Sequence, residues 1–184
     1  AASAHASEVI ELDVDASDVA VKTLHARMQI PASAGTLRLF FPKWIPGEHG
    51  PTGPLVGMAG LRIRAGERDL SWKRDPLEMY EVITEVPTGS RSVDVQFDFL
   101  PPIGTGQFTA GASVTPNLTV VSWNTVLVYP AAANSDDLSY KATLKLPRDW
   151  QYATALQTTG KDGDKVDFAP VSLTTLIDSP VLIG

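Results

Sequence analysis

Apolar and polar residues alternate along most of this chain. Over 24–30, Leu24, Ala26, Met28 and Ile30 fall on one side and His25, Arg27 and Gln29 on the other. Val93, Val95, Phe97 and Phe99 alternate with Ser92, Asp94, Gln96 and Asp98, and Tyr140, Ala142, Leu144 and Leu146 with Lys141, Thr143 and Lys145. Ile10, Leu12 and Val14 repeat the pattern near the start. A period of two marks a strand with one face on a core and one in water. The same reading predicts strands at 36–41, 59–64, 79–86, 118–129, 151–156 and 164–168. Ala65-Gly66-Glu67-Arg68 and Lys161-Asp162-Gly163-Asp164 read as tight hairpin turns. No run of about 12 residues keeps a helical period. Prolines close strands at Phe41-Pro42, Val86-Pro87, Leu100-Pro101-Pro102, Tyr129-Pro130 and Leu146-Pro147. The expected fold is all-β, an antiparallel two-sheet sandwich with little helix. No linker or internal repeat interrupts it, so residues 1–184 are expected to form a single domain.

Two segments break the strand rhythm. Residues 42–57 form a long loop dense in Pro and Gly that also carries Trp44, Glu48 and His49. Pro fixes φ and Gly permits unusual φ, so such a loop can be rigid, and long structured loops often carry function. Residues 101–116 form a second Gly/Pro/Thr-rich loop. Composition then narrows the classes. Lys and Arg number 15 against 21 Asp and Glu, a net charge of -6. The basic face that nucleic acid needs is missing, so nucleic-acid binding is excluded as a role. No stretch reaches the roughly 20 apolar residues of a membrane-spanning helix. The absence of cysteine rules out disulfides, a Cys nucleophile and thiolate metal sites. The lead Ala-Ala-Ser-Ala-His-Ala-Ser is similar to the stretch around a signal-peptidase site. It motivates the expectation of a secreted or periplasmic protein with residues 1–7 disordered.

The chain carries few groupings able to do chemistry. Its histidines, His5, His25 and His49, stand singly, and no His-Glu-x-x-His pairs two of them. No Gly-x-Ser-x-Gly elbow occurs. Gly104-Thr105-Gly106 lacks the third glycine and the helix of a nucleotide loop. Asp13, Asp15, Asp18 and the Asp136-Asp137 pair read as solvated faces, and His25 as a solvated residue on the polar side of its strand. Trp44, Trp72, Trp123 and Trp150 suit core and loop anchors or, if coplanar and exposed, a carbohydrate platform. By themselves, the residues describe an all-β module without a catalytic constellation.

One segment adds more. Phe41-Pro42-Lys43-Trp44-Ile45-Pro46-Gly47-Glu48-His49-Gly50-Pro51-Thr52-Gly53-Pro54 resembles the Pro-x-Trp-x-Pro-Gly signature of the glycyl aminopeptidase family of zinc metallopeptidases, peptidase family sixty-one. Ala59-Gly60-Leu61, Leu70 to Asp75, and Val121 to Pro130 are similar to later parts of the same family. Leu176 to Gly184 resembles its join between an amino-terminal β domain and a catalytic domain. The resemblance implies a β-saddle fold and a non-catalytic amino-terminal domain. That domain would pack on its own catalytic domain, absent from these residues, and wall one side of the substrate cleft. Zinc and the peptide substrate are then expected of the parent protein. No cofactor, catalytic residue or metal ligand is expected in this chain, which alone is expected not to be an enzyme. Related zinc aminopeptidases use an acidic or amide side chain of the β domain to hold the substrate's α-amino group. Glu48 is the candidate for that role, His49 its neighbour in the cleft, and Trp44 the anchor of the loop through burial. An apolar patch is expected near 42–57 and 171–184, from Leu55, Val56, Val181, Leu182 and Ile183. The other reading from the residues is a free-standing β-sandwich module that binds carbohydrate or protein.

Overall fold

The alternating segments pair edge to edge, as half-buried strands must if their backbone groups are to be satisfied. A computed structural model describes residues 9–45, 47, 49–101, 114–115, 117–131 and 134–184. The lead 1–7, Glu48 and most of the 101–116 loop lie outside the described residues.

In chain order the strands are β1 (Val9–Asp15), β2 (Leu24–Pro31), β3 (Gly35–Phe40), β4 (Met58–Ala65), β5 (Arg68–Leu70), β6 (Trp72–Arg74), β7 (Glu81–Val86), β8 (Ser92–Phe99) and β9 (Thr119–Val121). They continue as β10 (Tyr129–Pro130), β11 (Ser139–Lys145), β12 (Tyr152–Ala153), β13 (Thr158–Asp162), β14 (Lys165–Phe168), β15 (Val171–Ser172) and β16 (Val181–Ile183). A single α-helix, α1 (Leu173–Ile177), and a few 3-10 turns are the helical content among the described residues. The large sheet runs β13-β14-β11-β1-β2-β8-β4-β5, with β15 also on β11. A second sheet runs β10-β3-β7-β6 and a third β12-β16-β9. Pairing is antiparallel except between β1 and β11, which lie parallel with Leu12 opposite Ala142. The all-β, mainly antiparallel expectation holds, with the strands grouped in three ladders rather than two.

Burial follows the alternation residue by residue. Leu12, Val14, Leu24, Met28, Ile30, Val95 and Phe99 enter one core, where they meet Leu39 and Val82 of the second sheet and Val181 and Ile183 of the third. Each such side chain contributes about 1.5–3 kcal/mol of burial. Both expected hairpins form. Ala65 pairs with Arg68 and Asp162 with Lys165, and the first residue of each two-residue loop, Gly66 at φ +59 and Gly163 at φ +56, takes the left-handed conformation.

Three segments differ from expectation. The 118–129 stretch is a strand only at β9, because Trp123–Thr125 wind into a 3-10 turn. That turn buries the Trp123 ring edge-on to Phe168 at 5.9 Å and lets its indole N–H donate to the Ser179 carbonyl at 2.8 Å. The 151–156 strand contracts to β12, and the polar β13 follows it without an alternating signal. The run expected as an exposed join forms β15, α1 and β16, with β16 central in its sheet. Val181 and Ile183 are therefore buried, and of this expected patch segment Leu182 is the exposed member.

Candidate functional site

The register gathers several connections at one end of the molecule. Leu24 lies opposite Phe99, and Phe99 opposite Met58. The segment entering β2, the segment leaving β8 and the loop entering β4 therefore share an end. Phe41 brings the exit of β3 to the same place, with its N–H on the Tyr80 carbonyl at 2.9 Å and its ring edge-on to Phe97 at 6.4 Å.

The loop that leaves Phe41 is held by backbone and by Tyr80. Gly53 N–H donates to the Lys43 carbonyl at 2.9 Å. The Tyr80 hydroxyl reaches the carbonyls of Pro51 at 3.1 Å and Gly53 at 3.0 Å, donating to one or the other. A Cβ on Gly53 would stand 2.0 Å from the Pro42 carbonyl oxygen, so only glycine passes there. At the far end Gly57 lies against the Phe99 ring, and its carbonyl accepts from Leu100 N–H at 2.8 Å. The loop thus closes on the neighbouring turn 75–80. Lys43 Nζ pairs with Glu78 at 2.5 Å and lies 5.6 Å above the Tyr80 ring. The Lys43 hydrogen bond, with a second from Tyr80 N–H, holds the Glu78 carboxyl below the usual carboxylate range. Asp75 caps the same turn by accepting from Leu77 N–H at 2.8 Å and Glu78 N–H at 3.0 Å, which lowers its pKa in the same way.

Trp44 is 64% exposed, so the expectation that it anchors the loop through burial is corrected. Tyr80, the Lys43–Glu78 pair and the Gly53 close approach do that holding instead. On this loop pair Trp44 is exposed, as are Val56 at 99%, Leu77 at 95% and Met79 at 61%. Val56 was an expected patch residue; Leu77 lies on a short turn without a periodic signal, and Met79 falls in that turn rather than in the strand expected from 79, which begins at Glu81. His49 is exposed on this loop, with no partner among the described residues.

Tyr129 of β10 stacks on Phe40 at 5.9 Å beside this turn. Burial pushes its phenol up, and the nearby Glu78 charge adds to that against Lys43. A few residues earlier, the Trp123–Thr125 turn carries Asn124. It is only 5% exposed, yet its carboxamide has no hydrogen-bond partner among the described residues. An Asn amide offers two donors and an acceptor, and a buried one is ordinarily satisfied. The sequence signal was its place between buried neighbours in Ser122-Trp123-Asn124-Thr125, legible only once the turn is known. Trp123 is buried, Trp72 donates its indole N–H to the Leu61 carbonyl at 3.2 Å, and no two Trp rings pair among the described residues. No three His, Asp or Glu residues among those described converge to hold a metal. The described residues therefore do not fit a zinc ion.

Residues 11–184 match the family model described as Peptidase M61 N-terminal domain. No curated protein matches. Among solved structures, an aminopeptidase N family protein from Idiomarina loihiensis superposes with a TM-score of 0.77 at 17% identity, over 96% of this chain and 29% of that one. An M1 zinc metallopeptidase from Deinococcus radiodurans superposes at 0.54 with 13% identity, over 95% of this chain and 41% of its own. Aminopeptidase A from Legionella pneumophila, in complex with aspartic acid, superposes at 0.53 with 12% identity, over 96% and 21% respectively. At these identities the shared property is the fold. The chain spans less than half the length of each of these structures.

Proposed function

The chain belongs to the family of Peptidase M61 N-terminal domains, and we propose that it is the non-catalytic β domain of a secreted or periplasmic zinc aminopeptidase. In this reading it packs on the catalytic domain of the parent protein and walls one side of the substrate cleft. The zinc and the bond-breaking residues belong to that other domain. The observation that carries the reading is the exposure of four large apolar side chains, Trp44, Val56, Leu77 and Met79, on the loop and turn joined by Tyr80 and the Lys43–Glu78 pair. Large apolar side chains held out on a stiff support match a surface that a partner covers.

The cleft-facing side chains proposed are Glu48, with His49 beside it, and Asn124. An α-ammonium needs an anionic or carbonyl oxygen acceptor. Glu48 offers a carboxylate by resemblance. Asn124 offers an amide oxygen on the Trp123–Thr125 turn, without a hydrogen-bond partner among the described residues. Charge-assisted hydrogen bonds of this kind contribute about 1.5–3 kcal/mol. In the full-length enzyme, Glu48→Ala and Asn124→Ala are each expected to lower kcat/KM for peptides with a free amino terminus. The loss should be roughly tenfold to a hundredfold. Unfolding temperature should stay near that of the wild type. Wild-type kinetics in both variants, or losses that track unfolding, would remove the proposed role.

A further inference from the structure

A second organised group lies on the outer face of the large sheet, and it is independent of the aminopeptidase reading. His25 of β2 stands between two carboxylates. Its Nδ1 is 2.7 Å from Asp98 Oδ1 of β8, and its Nε2 is 3.2 Å from Asp18 Oδ2 in the connection between β1 and β2. A neutral imidazole carries one N–H, so it can donate to only one of these oxygens. Both contacts are satisfied together only when the ring is doubly protonated.

The connection itself is built to be held at one point. Val19 and Ala16 are buried, while Val21 is exposed and Lys22 takes a left-handed φ of +65. Val21 N–H and Thr23 N–H both return to the Asp18 carbonyl, at 3.0 and 3.3 Å. Asp18 thus organises the turn with its backbone and ties it to the sheet with its side chain. The other charged groups lining the depressions around His25 are Asp13 and Asp15 from β1, Arg27 from β2, Arg62 from β4, Lys145 from β11 and Lys165 from β14. Of these, Asp15 and Lys145 are engaged with each other at 2.9 Å.

We propose that His25 is a pH-responsive tie: as an imidazolium it joins β8 to the β1–β2 connection, and on losing a proton it releases Asp18. The Asp98 contact is the shorter and persists, since one N–H suffices for it. The Asp98 hydrogen bond, against a smaller opposing effect of burial, raises the His25 pKa, with Asp18 adding to the rise. A histidine whose folded pKa is raised stabilises the fold fully below its unfolded pKa. It loses that contribution as pH climbs through the folded value. The tie is therefore closed below the ordinary histidine range and opens as pH rises through the raised folded value. Its release frees the turn next to Leu24, at the same end of the sheet as Phe99 and Gly57.

Proton NMR of the His25 ring, recorded from pH 5 to 9 on the 184-residue chain, reads the tie directly. The titration midpoint is expected above that of an ordinary histidine, falling in Asp98→Asn and by a smaller amount in Asp18→Asn. Backbone amide signals of residues 16–23 are expected to move with the same midpoint in the wild type and to lose that transition in His25→Gln. An unshifted midpoint, a midpoint indifferent to Asp18→Asn, or amides in 16–23 that do not follow His25 would overturn the proposal. Should His25→Gln fail to fold, the Asp18→Asn arm still decides it, because that residue is exposed and its replacement keeps the size of the side chain.

Discussion

Gly53 has no room for a side chain. The Pro42 carbonyl oxygen and the Tyr80 ring would lie 2.0 and 2.9 Å from an added Cβ, and the backbone oxygen cannot move without breaking the loop. Gly53→Ala is expected to destabilise by about 2 kcal/mol, or roughly 4–8 °C in Tm, by thermal melting. Trp123 answers to a different balance. Trp123→Phe removes the shorter of two hydrogen bonds to the Ser179 carbonyl, the other coming from the Thr154 hydroxyl at 3.3 Å, and leaves a void against Phe168. It should cost about 2–3 kcal/mol by urea unfolding. Asp15 links a residue to pH. Burial pushes its carboxyl up, but hydrogen bonds from Lys145 and from the Ser17 hydroxyl and amide outweigh that and lower its pKa. Its stabilising contribution is present above the unfolded pKa and is lost as pH falls through the folded value. Asp15→Asn should flatten the acid limb of a stability–pH profile, and an unchanged limb would show that the pair contributes nothing.

Among the elements, the large sheet shows how much a strand depends on its neighbours. β1 reads as a strand from Ile10, Leu12 and Val14 alone, because alternation is a property of one segment. Its parallel partner β11 is also legible as a strand, but their pairing is not, since it joins residues more than a hundred positions apart. β4 carries a bulge where its register on β8 shifts between Ala59 and Arg62, with Gly60 at φ +65. A residue with a Cβ is strained at that φ even though the space beside it is open. Gly60→Val should therefore destabilise by about 1–2 kcal/mol through backbone strain rather than through clash. A melting curve matching the wild type would place the strain elsewhere.

At the scale of the whole molecule, three ladders share one core, and the last residues of the chain close it. Val181 and Ile183 are buried between β9 and β12. Removing residues 179–184 deletes a central strand and the carbonyl that receives Trp123. The shortened chain is expected to lose cooperative thermal unfolding, and a cooperative transition near the wild-type Tm would contradict this. The sequence alone determined the all-β class, most strands, both two-residue hairpins and the special character of the 42–57 loop. Each of these rests on local rules: side-chain period, glycine's freedom at positive φ, and proline's missing N–H. Tertiary structure alone decided the rest. Trp44 faces outward while Trp123 is buried, although both are tryptophans beside breaks in the strand pattern. The difference is that Tyr80 and Gly53 already close the first loop, whereas Phe168 and the Ser179 carbonyl wait for the second ring. Asn124, Leu77, Met79 and the His25–Asp98–Asp18 group were invisible for the same reason. Burial without a partner among the described residues, exposure on a hydrogen-bonded loop pair and a histidine between two carboxylates are relations among distant residues, set by packing and register rather than by any one segment.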